Sequence, residues 1–110
     1  MKPDILQYLD RHGVHYELES DIHRVVSEVD VVYQTRIGPE RAADTPLRHY
    51  CIDSTMLPHM RPDAMILHPL PRTVELDKTV DDDPRAMYFR QAANRLFVRM
   101  ALLTMLLDKK

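Results

Sequence analysis

Glycine is nearly missing from this chain: Gly13 and Gly38 are the only two in 110 residues. Loops that wrap dinucleotides or nucleotide phosphates need several closely spaced glycines, so both kinds of site are excluded, and with them a free-standing nucleotide-binding half-domain. The single cysteine, Cys51, rules out an intramolecular disulfide and a cysteine-rich zinc site. Charge of neither sign dominates: 15 basic and 17 acidic residues leave a net charge of −2. There is no electrostatic reason to expect nucleic acid or an anionic membrane as a partner. No apolar run approaches the roughly 18 residues of a membrane span, and Met1-Lys2-Pro3-Asp4 opens without a signal-peptide core. A cytoplasmic protein is expected. His12, His15, His23, His49 and His59 lack metal-ligand spacing and read as scattered surface histidines, so no metal is expected.

What is present is a globular composition, 45% hydrophobic and 29% charged, long enough for one core and too short for two domains. The basic residues are mostly arginine, whose planar fork suits carboxylate or phosphate. Pro3 suits the first turn of a helix carrying Ile5, Leu6 and Leu9, with Gly13 as its left-handed stop. Val14, Tyr16 and Leu18 alternate with strand period. Ser20 and Asp21 are N-cap types ahead of Ile22, Val25, Val26 and Val29, which share one helix face. Residues 30–34 read as a short strand. Strand, helix, strand over 14–34 predicts a parallel βαβ unit with Thr35 and Arg36 at the carboxyl end of its second strand.

Residues 38–47 read as a loop with a helical turn near Glu40–Asp44. His49–Ile52 reads as a short strand, and Cys51 within it as a buried small hydrophobe. Asp53-Ser54-Thr55 is expected to cap a short helix reaching His59 or Met60. Ala64–Leu67 is a continuous apolar run, as in a strand covered on both faces, ended by His68-Pro69-Leu70-Pro71-Arg72. Asp81-Asp82-Asp83-Pro84 predicts a helix start that places carboxylates at the positive end. Helix then runs to about Leu107, with Ala92–Arg95 as a candidate interruption. Leu96–Leu107 is apolar on more than one face and calls for partners on several sides.

Ligands of open parallel sheets bind beyond the carboxyl ends of the strands. Thr35-Arg36-Ile37 and His68–Arg72 both fall there. Arg36 presents bidentate donors to a carboxylate; the alternative is a surface pair with an acid such as Glu40. Pro69 and Pro71 remove two backbone donors, leaving the Leu70 and Pro71 carbonyls as acceptors, or else they form an ordinary rigid turn. His68 is either a general acid or donor to a substrate carbonyl, or a structural histidine orienting the loop.

The motifs Thr35-Arg36-Ile37-x-x-Glu40-Arg41, His68-Pro69-Leu70-Pro71-Arg72, Asp83-Pro84-Arg85-Ala86-x-Tyr88-Phe89-Arg90-Gln91-Ala92-x-Asn94 and Arg99-Met100-Ala101-Leu102-Leu103 resemble the C-terminal part of aspartate carbamoyltransferase catalytic chains. Order and spacing agree across nearly the whole chain. Leucine between the two prolines is similar to the aspartate enzyme rather than its ornithine-specific relatives. The resemblance implies an α/β fold: a partial Rossmann-like parallel sheet flanked by helices, with a long apolar C-terminal helix. It implies carbamoyl transfer from carbamoyl phosphate to the amine of aspartate, at the start of pyrimidine synthesis, by substrate positioning and charge stabilisation, without metal or cofactor.

By the same resemblance, Arg36 binds an aspartate carboxylate. The carbonyls of Leu70 and Pro71 accept from the carbamoyl amide and the incoming amine, with Leu70–Pro71 cis. Glu75 and Arg41 join an ion-pair network around the site, with Thr35 and His68 in support. Residues 38–50 form a closing loop. Two positions depart from the family pattern: Gly38 stands where a glutamine helps to hold aspartate, and Arg95 stands where glycine precedes the last helix. The family's carbamoyl-phosphate motif and its second aspartate-binding arginine have no counterpart here. The expectation is therefore that 1–110 is a single partial aspartate-binding domain, inactive alone, either truncated or half of a split enzyme. Its expected partners are weakly bound aspartate, a complementary N-terminal fragment, and further copies of itself through Leu96–Leu107. The alternative is a non-catalytic module that binds a full-length transcarbamoylase or another protein.

Overall fold

A computed structural model describes residues 3–37 and 50–108. The first helix, α1 (Pro3–Arg11), ends as the sequence predicts. Gly13 takes φ +61°, and Val14 N donates to the Leu9 carbonyl at 3.0 Å, a bond that needs the left-handed residue before it. No residue of α1 is buried.

The alternation of Val14, Tyr16 and Leu18 does not become a strand: residues 14–19 carry no regular structure, and Val14 and Leu18 are exposed. A period of two creates a strand only where a neighbour takes its backbone hydrogen bonds, and among the described residues none does. The predicted βαβ unit over 14–34 therefore lacks its first strand. Asp21 caps α2 (Ile22–Val25), its side chain accepting from His23 N, but the helix stops after four residues rather than reaching Val29. Val26, the one fully buried member of the predicted stripe, needs no longer helix to reach the core.

The sheet forms between more distant segments. Strand β1 (Val31–Tyr33) pairs in parallel with β2 (Met65–Leu67), with Val31 opposite Met65, Val32 opposite Ile66 and Tyr33 opposite Leu67. The last rung is Gln34 N to the Leu67 carbonyl at 2.9 Å. The next would require an N–H from Pro69, which proline lacks, so the ladder ends there. On the far side of β2, Ile66 bridges Ala86 in parallel. Ile52 similarly bridges Leu76, and this is all that forms of the strand expected through His49–Ile52. Cys51 is half-buried rather than buried; burial, then the nearby Asp53 and Asp77 carboxylates, pushes its thiol up.

The core lies under β2: Val26, Ile52, Met56, Met60, Ala64, Ile66, Leu76, Val80 and Tyr88. The strand is not covered on both faces as expected, because Met65 is exposed while Ile66 is fully buried. Asp53 caps a turn through Thr55 N at 2.9 Å, and a 3-10 turn over Leu57–His59 takes the place of the predicted α-helix. Arg85 ties this turn to the sheet, donating from one nitrogen to the carbonyls of Leu57, Met60 and Arg61 while pairing with Asp83.

The final helix, α3 (Tyr88–Leu107), begins later than Asp81–Pro84 predicts. Those carboxylates are spent elsewhere: Asp81 on Arg72 and Asp83 on Arg85. Nor is α3 interrupted at Ala92–Arg95, since the arginine sustains a helix that glycine would weaken. Leu96, Phe97, Val98, Leu102, Leu103 and Leu106 are all exposed along it. Even so, no helix among the described residues is long and apolar enough to cross a membrane.

Candidate functional site

Parallel pairing places the exits of β1 and β2 side by side. Thr35 and Arg36 leave one strand, and His68–Arg72 leave the other. The second exit is held from beneath by a buried polar pair. His68 and Glu75 are both fully buried, with His68 Nε2 2.9 Å from Glu75 Oε1. His68 Nδ1 accepts from Leu70 N at 2.9 Å, so the ring proton sits on Nε2 and is donated to Glu75. The carboxylate also accepts from Thr73 N at 2.9 Å and from Thr73 Oγ1. Burial disfavours the charge on Glu75, but the bonds from Thr73, from its own backbone N–H and from His68 outweigh it and hold the carboxyl at about 2.

The loop between these anchors takes an unusual path. Leu70 has φ +42°, and Leu70–Pro71 is cis. A leucine in the left-handed region persists only where its surroundings over-determine it, and here its N–H is clamped by His68 and Thr73 by Glu75. Among the described residues, the carbonyls of Leu70 and Pro71 accept no hydrogen bond. They are two acceptors on a rigid turn.

At the loop's far end Arg72 binds Asp81 through both terminal nitrogens, the second pair at 2.7 Å. Tyr88 Oη donates to the same carboxylate at 2.5 Å. The Arg72 bonds, opposed by burial and joined by Tyr88, hold Asp81 down to about 2. Burial, then the bond to Asp81, raises the Tyr88 phenol to about 12. A run of aspartates before a proline reads equally as a helix cap, and nothing in the local pattern points nine residues back to Arg72. Gln91 makes a second such contact between residues far apart in the chain. Its Oε1 accepts from His68 N at 2.9 Å and its Nε2 donates to Tyr33 Oη at 3.3 Å, so one α3 side chain touches both strands. Its place within the Tyr88–Asn94 motif was the available signal.

Arg36 is exposed and makes no ion pair or hydrogen bond among the described residues. Arg41, Gly38, Glu40, the helical turn near Glu40–Asp44 and all but the last residue of the predicted closing loop lie outside the described residues. Glu75, expected beside Arg41, is engaged with His68 and Thr73. A groove of about 750 Å³ borders the site between the open sheet face and α3, lined by Tyr33, Leu67, Pro69, Gln91 and Arg95 among others. It includes none of Arg36, Leu70 or Pro71, so it adjoins the strand-end acceptors rather than containing them. Among the described residues no group of histidine, cysteine, aspartate and glutamate could hold a metal ion.

Residues 2–106 match the family model for the aspartate/ornithine carbamoyltransferase Asp/Orn-binding domain. The chain is 50% identical over 113 residues to the chloroplastic aspartate carbamoyltransferase of Arabidopsis thaliana, covering 97% of this chain and 29% of that protein. To the aspartate carbamoyltransferase catalytic subunit of Chromobacterium violaceum it is 40% identical, covering 97% and 37%. The Trypanosoma cruzi aspartate transcarbamoylase in complex with carbamoyl aspartate and phosphate superposes with a TM-score of 0.82 at 34% identity, over 94% of this chain and 35% of that one. The chain thus spans about a third of the length of the proteins it matches.

Proposed function

Since this chain belongs to the aspartate/ornithine carbamoyltransferase family, through its Asp/Orn-binding domain, we propose that it supplies the aspartate side of a carbamoyl-transfer site. The observation that carries this reading is the pair of adjacent strand ends. One presents the exposed arginine Arg36, and the other presents the Leu70 and Pro71 carbonyls with no internal donor among the described residues. An amino acid offers a carboxylate to the first and an amine to the second. The carbonyls hold the attacking amine and the carbamoyl amide in place; Arg36 fixes the carboxylate bidentately. His68 and Glu75 position the loop, Thr35 precedes the arginine, and Arg41 belongs with Glu75 to the ion-pair network around the site. In this reading the chain forms one partial domain, and the groups that bind carbamoyl phosphate come from outside it.

Two expectations follow for the purified chain. Alone it makes no carbamoyl aspartate above background and binds aspartate more weakly than 1 mM, a free energy short of about −4.1 kcal/mol. Mixed with the carbamoyl-phosphate-binding segment of a relative, it forms product, and Arg36→Ala lowers kcat/KM in that mixture by about thirtyfold, the loss of a charged contact of about 2 kcal/mol. Product from the chain alone, or indifference to Arg36→Ala, would refute the assignment.

The exposed apolar residues of α3 from Leu96 to Leu107 support a second element of the proposal: the chain associates with itself, or with the complementary segment, along that helix. Sedimentation at tens of micromolar should show species larger than a monomer, reduced by Leu103→Glu. A monomer throughout would count against it.

A further inference from the structure

The end of the β1–β2 ladder leaves two carbonyls without ladder partners, those of Gln34 and Pro69. Parallel pairing runs Met65 N to the Asp30 carbonyl and Gln34 N to the Leu67 carbonyl, both at 2.9 Å. Continued in register, Pro69 N would bond to the Gln34 carbonyl, and Arg36 N to the Pro69 carbonyl. The first is impossible because proline has no N–H. The second is absent from the described backbone bonds. Instead, Arg95 of α3 reaches across and donates from Nη2 to the Pro69 carbonyl at 2.6 Å. A strand-end carbonyl without a ladder partner takes its hydrogen bond from water or from a side chain, and here a helix side chain provides it.

We propose that Arg95 is a positioning residue for the candidate site: by taking the Pro69 carbonyl in place of Arg36 N, it separates the two strand exits and holds the loop that presents the Leu70 and Pro71 carbonyls. The loop is then fixed from two directions. His68 Nδ1 takes the Leu70 N–H from the buried side, and Arg95 takes the preceding carbonyl from the groove side, where both Pro69 and Arg95 line the wall. The two anchors are the C=O and the N–H of one peptide, Pro69–Leu70, and Leu70 follows it at φ +42°, so a rotation of that peptide that freed either anchor would turn the Leu70 carbonyl away from its present direction. Thr35 and Arg36, released from pairing with the loop, can face a ligand lying between the two exits. The inference concerns loop geometry and rests on the proposed aspartate site only for the ligand it names.

The test uses the full chain, labelled with 15N, as parent, Arg95→Gln and Arg95→Lys. Hydrogen exchange is followed at Leu70 N–H and at Ile66 N–H, which is bonded to the Arg85 carbonyl in the core at 2.8 Å. Arg95→Gln is expected to speed exchange at Leu70 by about tenfold, one hydrogen bond's worth, with Ile66 unchanged. Arg95→Lys, which keeps a cationic donor, should recover most of the protection. Titration with aspartate should show the same order of weakening in chemical-shift changes. Unchanged Leu70 exchange in Arg95→Gln overturns the inference. So does equal acceleration at Leu70 and Ile66, which would make Arg95 a general stabiliser of the fold. A parent chain that shows no aspartate response while Arg95→Gln selectively exposes Leu70 would count against the proposed function and leave the role of Arg95 standing.

Discussion

Replacing His68 with leucine is expected to cost about 3 kcal/mol of stability, on the order of what leaving a buried carboxylate short of a hydrogen bond costs. His68 is fully buried and satisfies two groups at once. Leucine fills much of the same space but returns neither bond. Glu75 keeps its Thr73 partners and loses its deepest donor, while Leu70 N–H loses its only acceptor among the described residues. An unsatisfied buried group costs more than the bond contributed, because water is not there to replace the partner. For a domain whose whole stability is about 5–15 kcal/mol, this is a large fraction. Two further variants divide the cost. His68→Gln keeps a donor near the Nε2 position and should recover part of the Glu75 bond. His68→Asn keeps an acceptor near Nδ1 and should recover only the bond from Leu70. Urea midpoints at constant slope measure all three. A leucine variant within 0.5 kcal/mol of the parent, on the order of a neutral surface change, would show that the pair does not support the loop.

Acid should act on the same pair from the other side. The Glu75 carboxyl is held at about 2 in the folded chain against an ordinary value of 4.5. A group whose folded value is depressed adds stability that is fully present above its unfolded value and is lost as pH falls toward the folded one. Between pH 5 and 2 Glu75 should therefore withdraw about 3 kcal/mol. Asp81, depressed to about 2 by Arg72, adds a smaller loss over the same window. The isosteric variant Glu75→Gln can still bond to Thr73 and His68 but carries no charge. It should be less stable than the parent near neutrality, and its stability should fall less on acidification, so that the two curves converge near pH 2. Parallel curves across that range would mean that Glu75 is not held as an ion by its partners.

Several elements could be read directly from residue order. Pro3 and Gly13 delimit α1 because proline and glycine each impose a backbone angle that needs no tertiary help. The strand before Thr35 and the strand before His68 were found because short apolar, β-rich runs ending in turn residues have few other uses. At the proline loop two missing donors leave carbonyls without ladder partners, and those of Leu70 and Pro71 accept no hydrogen bond among the described residues.

Where the structure departs from the local pattern, the cause is the same. Val14–Leu18 has strand period and no neighbour. Asp81–Pro84 has the look of a cap, yet Asp81 is committed to Arg72 and Tyr88. In each case a local pattern was consistent with two outcomes, and a residue far along the chain chose between them.

By itself, then, the amino-acid sequence determined the α/β class, the two strand segments before Thr35 and His68, the proline turn that ends the second, and the family to which the chain belongs. Those depend on backbone angles, missing donors and residue order, all of which are local. Only the tertiary structure decided which strands pair, that His68 serves Glu75 and Leu70 rather than solvent, that Gln91 touches both strands, and that Arg95 takes the carbonyl left over by Pro69. Apart from the short-range bond from Leu70 to His68, each of those joins residues separated in the chain, and such a contact exists only once folding has brought its partners together.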